Sequence, residues 1–282
     1  MRTLHVDSGR EMRGGQWQVL YLIERLTEAV LLARDGSPLF AEAARRKLDV
    51  RGLSFRALAA AAKQADLVHV HDARSHTLAA VAGVAPLVVS RRVAFPVNRG
   101  FVSSWKYGRA GLYLAVSKYV AARLMDAGIP DAQIQVVYDG VPIPAEPVRP
   151  IAGRVVALAS KPVQIPGVSV DLTTDLWKDL STANVFIYKS EIEGLGSGAL
   201  AAMAAGVPVV ASSVGGLTEV VESGRTGFLV TDGDFATPVR RLLDDSKLAE
   251  RMGRAGRERI QEQFSVERMV EKTVSAYREV LG

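Results

Sequence analysis

The sequence predicts an α/β protein built on two parallel sheets, and three observations carry that prediction. Short, almost continuously apolar runs alternate with helical patterns, the runs fall into two sets, and a proline-rich segment separates the sets. The first set places strands at 3–6, 29–32, 67–71, 87–90, 113–116 and 135–138, with helices near 16–26, 40–47, 55–63, 75–81 and 119–127 between them. The segment VYDGVPIPAEPVRPIAG at 137–153 holds four prolines and reads as a linker. Strands at 155–159, 184–188, 208–212 and 227–230 follow. The tail reads as a helix with Ser265 as N-cap and Val266, Met269, Val270, Val274, Tyr277 and Leu281 on one face. Two Rossmann-like halves are therefore expected, at 1–145 and 146–282, with the last helix packing back on the first.

Two joins strain this scheme. Only about nine residues separate 155–159 from the next apolar run at 168–170, where a parallel crossover takes about a dozen or more. The stretch LIERLTEAVLLA asks a helix to become a strand with almost no loop. Either the second half lacks a strand–helix unit, or segments of a longer parent chain are missing from it.

Composition narrows the function. The 282 residues are 48% hydrophobic and 23% charged, enough for a true core and incompatible with a wholly disordered chain. With no cysteine there is no disulfide, thiolate metal site or cysteine nucleophile. The opening MRTLHVDSGRE does not read as a secretory signal, and the longest apolar run, at 199–211, is 13 residues, too short to span a bilayer. A soluble, cytoplasmic protein is expected, or one attached only at the inner face of a membrane.

Charge is unevenly spread. From 73 to 125 there is no Asp or Glu, whereas Arg74, Arg91, Arg92, Arg99, Lys106, Arg109, Lys118 and Arg123 are all basic; the net charge is +5, so the rest of the chain stands at −3. Phe95, Phe101, Trp105, Tyr107, Tyr113 and Tyr119 lie in the same stretch. Such a patch suits phosphate-bearing ligands or anionic headgroups, or is simply a solvated face. No nucleic-acid motif accompanies it, so nucleic acid ranks last.

The stretch FIYKSEIEGLGSGALAAMAAGVPVVASSVGGLTEVV at 186–221 carries the chemistry. It reads as a buried strand, an acidic glycine-rich turn, a small-residue helix, a second strand and a second glycine turn. Gly194, Gly196 and Gly198 allow close backbone approach at a helix start, where free amides and the helix dipole favour a phosphate. Glu193 at the same turn can accept hydrogen bonds from sugar hydroxyls. His69, His71, Asp72 and His76 admit either a structural or a metal reading, and Arg91 and Arg92 either grip an anionic acceptor or merely edge the sheet.

These residues resemble the retaining glycosyltransferases of family 4, which have the GT-B fold. EGLG at 193–196, AMAAGVPVVAS at 202–212, GG at 215–216 with TEVVESGRTGFLV, LYLAVSKYV at 112–120, VVYDGVPI at 136–143 and GGQWQVLYLIERL at 14–26 carry the resemblance. It is closest in kind to bacterial lipopolysaccharide or cell-envelope enzymes, with a shortened C-terminal half. It implies that Glu193 contacts the donor sugar, that Gly194, Leu195, Gly196 and Ser197 meet the diphosphate, and that Gly14 and Gly15 form the glycine loop after the first strand. It further implies catalytic roles for His71 and for Lys161, a UDP- or GDP-linked sugar as donor, and a glycan or lipid-linked acceptor, with no metal and no organic cofactor; Arg91 and Arg92, read from their own position after a strand, are expected to grip the anionic acceptor. One departure stands out: Ala201 occupies the position of the family's second Glu, which holds the ribose. That substitution and the short second half keep open an alternative, a scaffold that binds nucleotide or sugar without turnover; a nucleotide-sugar epimerase of the same fold is a third.

Overall fold

The computed structural model describes residues 1–97, 100–160 and 162–282. The chain divides into two compact units, Met1–Tyr138 with Met269–Gly282, and Asp139–Arg268.

In the first unit the strands are β1 (Thr3–Asp7), β2 (Ala29–Ala33), β3 (Val50–Gly52), β4 (Leu67–Val70), β5 (Leu87–Arg91), β6 (Leu112–Ala115) and β7 (Ile134–Val136). The helices are α1 (Gly14–Ile23), α2 (Pro38–Arg45), α3 (Phe55–Ala62), α4 (Ala73–Ala82), α5 (Phe101–Tyr107) and α6 (Lys118–Asp126). Among the described residues the strands form a parallel sheet in the order β3-β2-β1-β4-β5-β6-β7. β1, β4 and β6 are buried along their whole length, as strands covered on both faces must be. Local chemistry fixes the helix starts. Ser37, Ser54, Asp72 and Ser117 accept hydrogen bonds from first-turn amides, and Pro38 sits at the first helical position. Val19, Leu20 and Ile23 of α1 then pack with Leu31, Leu39 and Ala43 into one core cluster.

The second unit carries β8 (Val155–Ala159), β9 (Val170–Leu172), β10 (Val185–Lys189), β11 (Val209–Ser212) and β12 (Gly227–Val230). They form a parallel sheet in the order β12-β11-β10-β8-β9. Its helices are α7 (Leu176–Leu180), α8 (Ser197–Ala204), α9 (Leu217–Val220), α10 (Ala236–Asp244) and α11 (Ser246–Gln263), and α12 (Val266–Leu281) ends the chain. In each sheet the first strand has neighbours on both sides, so the winding reverses between β1 and β4 and again between β8 and β10. Ligands of doubly wound sheets bind outside the carboxyl ends of the strands at such a reversal.

The structure resolves both strained joins. α1 stops at Ile23, and residues 24–28 lead into β2. Between β8 and β9 the described residues hold no helix; a turn closed by the Val168 N–H donating to the Ile165 carbonyl (3.0 Å) brings β9 alongside β8 as an edge strand. The second half lacks a helix here but not a strand. On α12 the Ser265 cap is present, its hydroxyl accepting from Arg268 N at 3.2 Å. The buried face differs from the expected one: Thr273 and Ala276 are buried with Met269 and Tyr277, while Val270 and Val274 are half-buried and Leu281 is exposed.

Candidate active site

At the reversal of the second sheet, β10 runs into the turn 190–196 and then α8. Gly196, the N-cap, has φ +108°, and a Cβ there would lie 2.5 Å from Leu217 Cδ2; only glycine fits this turn without strain. The second glycine turn lies directly against the first. The Gly216 N–H donates to the Glu193 carbonyl at 3.1 Å, and a Cβ on Gly216 would stand 2.6 Å from Leu195 Cα. Glu193 folds back on its own turn: one carboxylate oxygen accepts from the Tyr188 hydroxyl (2.5 Å), the other from Gly194 N (2.9 Å). Burial, then the Glu193 charge, pushes the Tyr188 phenol well above its ordinary range, so it stays a donor.

The turn differs from expectation in what it leaves open. Gly194, Leu195 and Gly196 are buried, and the Gly194 amide is committed to Glu193; Glu193 itself is half-exposed and Ser197 is exposed. The exposed route to an anion is thus the first turn of α8 at Ser197, not the three residues before it. That helix start has no side-chain cap, unlike α2, α3, α4, α6, α7 and the start of α11. Among the described residues, no N-cap side chain accepts from its first-turn amides at the positive end of the dipole. Ala201 is 2% exposed within α8. Lys161 lies outside the described residues.

At the reversal of the first sheet, the loops after β1 and β4 are tied together. Asp72 caps α4 and also accepts from Ser8 N (2.6 Å) and Ser8 Oγ (2.7 Å). Asp7 accepts from Gly9 N (2.8 Å) and from Gln16 Nε2, and burial together with the Asp72 charge raises its carboxyl. Gly14 and Gly15 begin α1, half-buried, and a Cβ on Gly15 would lie 3.7 Å from Arg92 Cδ. The structure thus brings Gly15, Arg92 and His71 into one neighbourhood, since Arg92 Nη1 is 3.3 Å from His71 Nδ1.

His71, to which the resemblance gives a catalytic role, is buried and fully hydrogen-bonded. It is 7% exposed and both ring nitrogens are engaged, Nδ1 with Arg92 and Nε2 with His5 Nδ1 at 3.0 Å. A guanidinium only donates, so Nδ1 of the neutral ring accepts. Nε2–H then donates to His5, whose own Nε2–H donates to Thr3 Oγ1 at 3.1 Å. His71 is thus held between His5 and Arg92, of which Arg92 is half-exposed. Arg91 is spoken for differently: its guanidinium donates to the Tyr107 hydroxyl (3.2 Å) and the Phe95 carbonyl (2.6 Å), bracing the segment after β5. Of the two arginines only Arg92 adjoins the glycine loop.

The histidine cluster has other members than the sequence suggested. His5 joins His69 and His71, with ring nitrogens of the three within 4.8 Å of one another. Asp72 and His76 stand elsewhere, the latter edge-on against Tyr107 and Tyr113. Every ring nitrogen of the three already has a protein partner, His69 meeting Tyr277 Oη (2.5 Å) and Ser90 Oγ (2.8 Å). Burial, reinforced by the Arg92 charge, pushes His5 down to about 3 and His69 and His71 well below the usual imidazole range. His5 and Tyr277 carry no sequence signal for this cluster, since they come from opposite ends of the chain.

Residues 12–143 match the family described as Glycosyltransferase Family 4, and residues 166–259 match Glycosyl transferases group 1. The alpha-maltose-1-phosphate synthase of Mycolicibacterium smegmatis is 37% identical over 183 residues, which cover 61% of this chain and 46% of that protein. The N-acetyl-alpha-D-glucosaminyl L-malate synthase of Bacillus anthracis is 38% identical over 105 residues, 36% of this chain and 28% of the relative. The chain thus spans less than half the length of these curated relatives. Among solved structures, HepE of Anabaena in complex with UDP-glucose superposes with a TM-score of 0.86 at 16% identity, covering 99% of this chain and 100% of that one. Residues 12–143 are thus similar to Glycosyltransferase Family 4 and residues 166–259 to Glycosyl transferases group 1, and the chain has the GT-B fold.

Proposed function

We propose that the protein transfers a sugar from a nucleotide-sugar donor, bound by the second unit, to a glycan or lipid-linked acceptor bound by the first. The observation that carries this reading is the side-chain-uncapped start of α8, placed at the sheet reversal with the half-exposed Glu193 carboxylate beside it. A diphosphate on the Ser197 turn would meet peptide amides and the positive dipole end. As the glycosidic bond breaks, charge grows on that diphosphate, and groups already aimed at it stabilise the transition state without reorganising. Glu193, fixed by Tyr188 and the Gly194 amide, keeps lone pairs for the sugar hydroxyls. Arg92, buttressed by His71, supplies the first unit with a cation for an anionic acceptor. The resemblance to the retaining family extends the proposal to transfer with retention, and to a cytoplasmic role in building the cell envelope. HepE was solved with UDP-glucose, which makes a UDP-linked sugar the first donor to test.

The test is turnover of UDP-glucose by the purified protein with and without glycan acceptors, repeated for Glu193→Ala. Transfer that vanishes in a folded E193A supports the reading; undiminished transfer overturns the site. Ala201 favours a second reading, nucleotide or sugar binding without turnover, because no carboxylate is present there to take the ribose. Binding of UDP with no release from any nucleotide sugar would select it.

A further inference from the structure

We propose that the second unit binds an apolar organic anion in a cavity at the amino ends of β10 and β11. The cavity holds about 500 Å³, within the range of small-ligand sites. Three pieces of chain enclose it: the linker at 147–150, the residues that lead into β10 and β11, and one face of α11. Pro147, Val148, Pro150, Ala183, Pro208 and Ala249 give it largely apolar walls. The linker wall is fixed in place. Val148 N donates to the Ala205 carbonyl (3.1 Å) and Ile151 N to the Thr182 carbonyl (2.9 Å). Arg257 of α11 donates to the Ala204 carbonyl (2.6 Å) and to the carbonyls of Pro144 and Ala145. The walls are therefore preformed, and an occupant does not have to order them.

The cavity stands apart from the candidate active site. β10 spans roughly 15 Å from it to the turn 190–196, which lies at the opposite edge of the sheet. The polar lining groups select the ligand, because donors prevail among them. Asn184 spends its side-chain carbonyl on Gly153 N (3.3 Å), which leaves its amide hydrogens to face a ligand. Ser246 is exposed in the first turn of α11, and Arg254 is exposed further along the same helix. Among the described residues Arg254 has no hydrogen-bond or ion-pair partner, and Arg257 meets carbonyls but no carboxylate. Glu250 is the one acid in the lining, so the two arginines leave it net positive. A cation would be repelled, and a neutral ligand would leave Arg254 to water. A carboxylate or sulfonate on a planar apolar body meets Arg254 at the rim and the proline faces within. The proposal is independent of the transferase reading, because nothing in it requires a sugar donor or turnover.

Fluorescence titration of the full chain with anilinonaphthalene sulfonate tests it, beside phenylnaphthylamine, the same ring skeleton without the charge. The sulfonate is expected to saturate a single class of site and to bind more tightly than the neutral compound. The backbone amides of Val148, Asn184 and Ala249 should shift in step with the fluorescence. R254Q, at an exposed position, should weaken the sulfonate about two- to fivefold and leave the neutral compound unchanged. S246W, also at an exposed position, should fill the mouth and remove binding of both, with the thermal unfolding midpoint of either variant unchanged. Equal affinity for the two compounds, shifts confined to other amides, or sulfonate binding untouched by both substitutions overturns the proposal. So does the absence of any saturable binding.

Discussion

Acidification from pH 7.0 to 5.5 should strip the protein of much of its stability, through its histidines. All four are at most 7% exposed. Burial is the first cause in each case: His5 is pushed down to about 3, His76 to about 4, and His69 and His71 well below the usual range. In the unfolded chain each titrates near 6.5 and holds about 0.9 proton at pH 5.5. The native state holds almost none, so unfolding at pH 5.5 takes up between three and four protons, by roughly 0.9 for each ring. The folded values are depressed, so stability is full above pH 6.5 and falls as pH drops toward the native values. Integrated from pH 7.0 to 5.5, the loss is about 1 kcal/mol per ring and roughly 4–5 kcal/mol for the four. Asp7, raised by burial and by the Asp72 charge, acts in the opposite sense. Urea unfolding at the two pH values, with the slope m unchanged, reads the difference directly. A loss below about 1 kcal/mol in total, or ring protons titrating near 6.5 in the folded protein, would refute the buried neutral cluster.

Other consequences are more local. Gly216→Ala drives a Cβ against Leu195 Cα and the Gly194 carbonyl, backbone that cannot swing aside; a loss of about 1–3 kcal/mol, with failure of UDP binding, is expected in urea melts and calorimetry. Tyr188→Phe removes one of the two donors to the Glu193 carboxylate. Because Glu193 is half-exposed and water replaces part of the bond, about 1 kcal/mol of stability should go, while affinity for a UDP-sugar drops severalfold in the same calorimetric assay. If Arg92 is the group that touches the acceptor and His71 only steadies it, H71N should raise the acceptor KM with little change in kcat, whereas R92A should raise KM and lower kcat. Equal damage to kcat from the two would return His71 to a catalytic role.

The long strands and most helices of the first unit could be read because burial writes itself into composition. Runs such as LVHV at 67–70 and LVVSR at 87–91 have few polar interruptions, and Ser or Asp precedes each of four helices. β3 and β9 escaped because a charged residue, Arg51 or Asp171, stands at the centre of each three-residue strand, so no apolar run marks them. α5 escaped for the opposite reason: its apolar residues face outward, so no stripe points to a core. The acidic glycine turn at 193–196 was legible, since few other contexts demand glycine at that spacing. What could not be seen was its inward folding, with Glu193 spending lone pairs on Tyr188 and on its neighbour's amide. Nor could His71 be recognised as doubly engaged, because its partner His5 lies on another strand and Tyr277 reaches His69 from the last helix. Sequence names the residue types; pairing across a sheet decides which nitrogen is left for a substrate.

Amide chemical shifts on titration with UDP, set beside titration with uridine, measure the central assignment most directly. If the diphosphate seats on the opening turn of α8, the Ser197 and Gly198 amides shift with UDP and stay put with uridine, and E193A alters the sugar-dependent changes while leaving the UDP response in place. Shifts confined to the first unit, or identical responses to UDP and uridine, would contradict it.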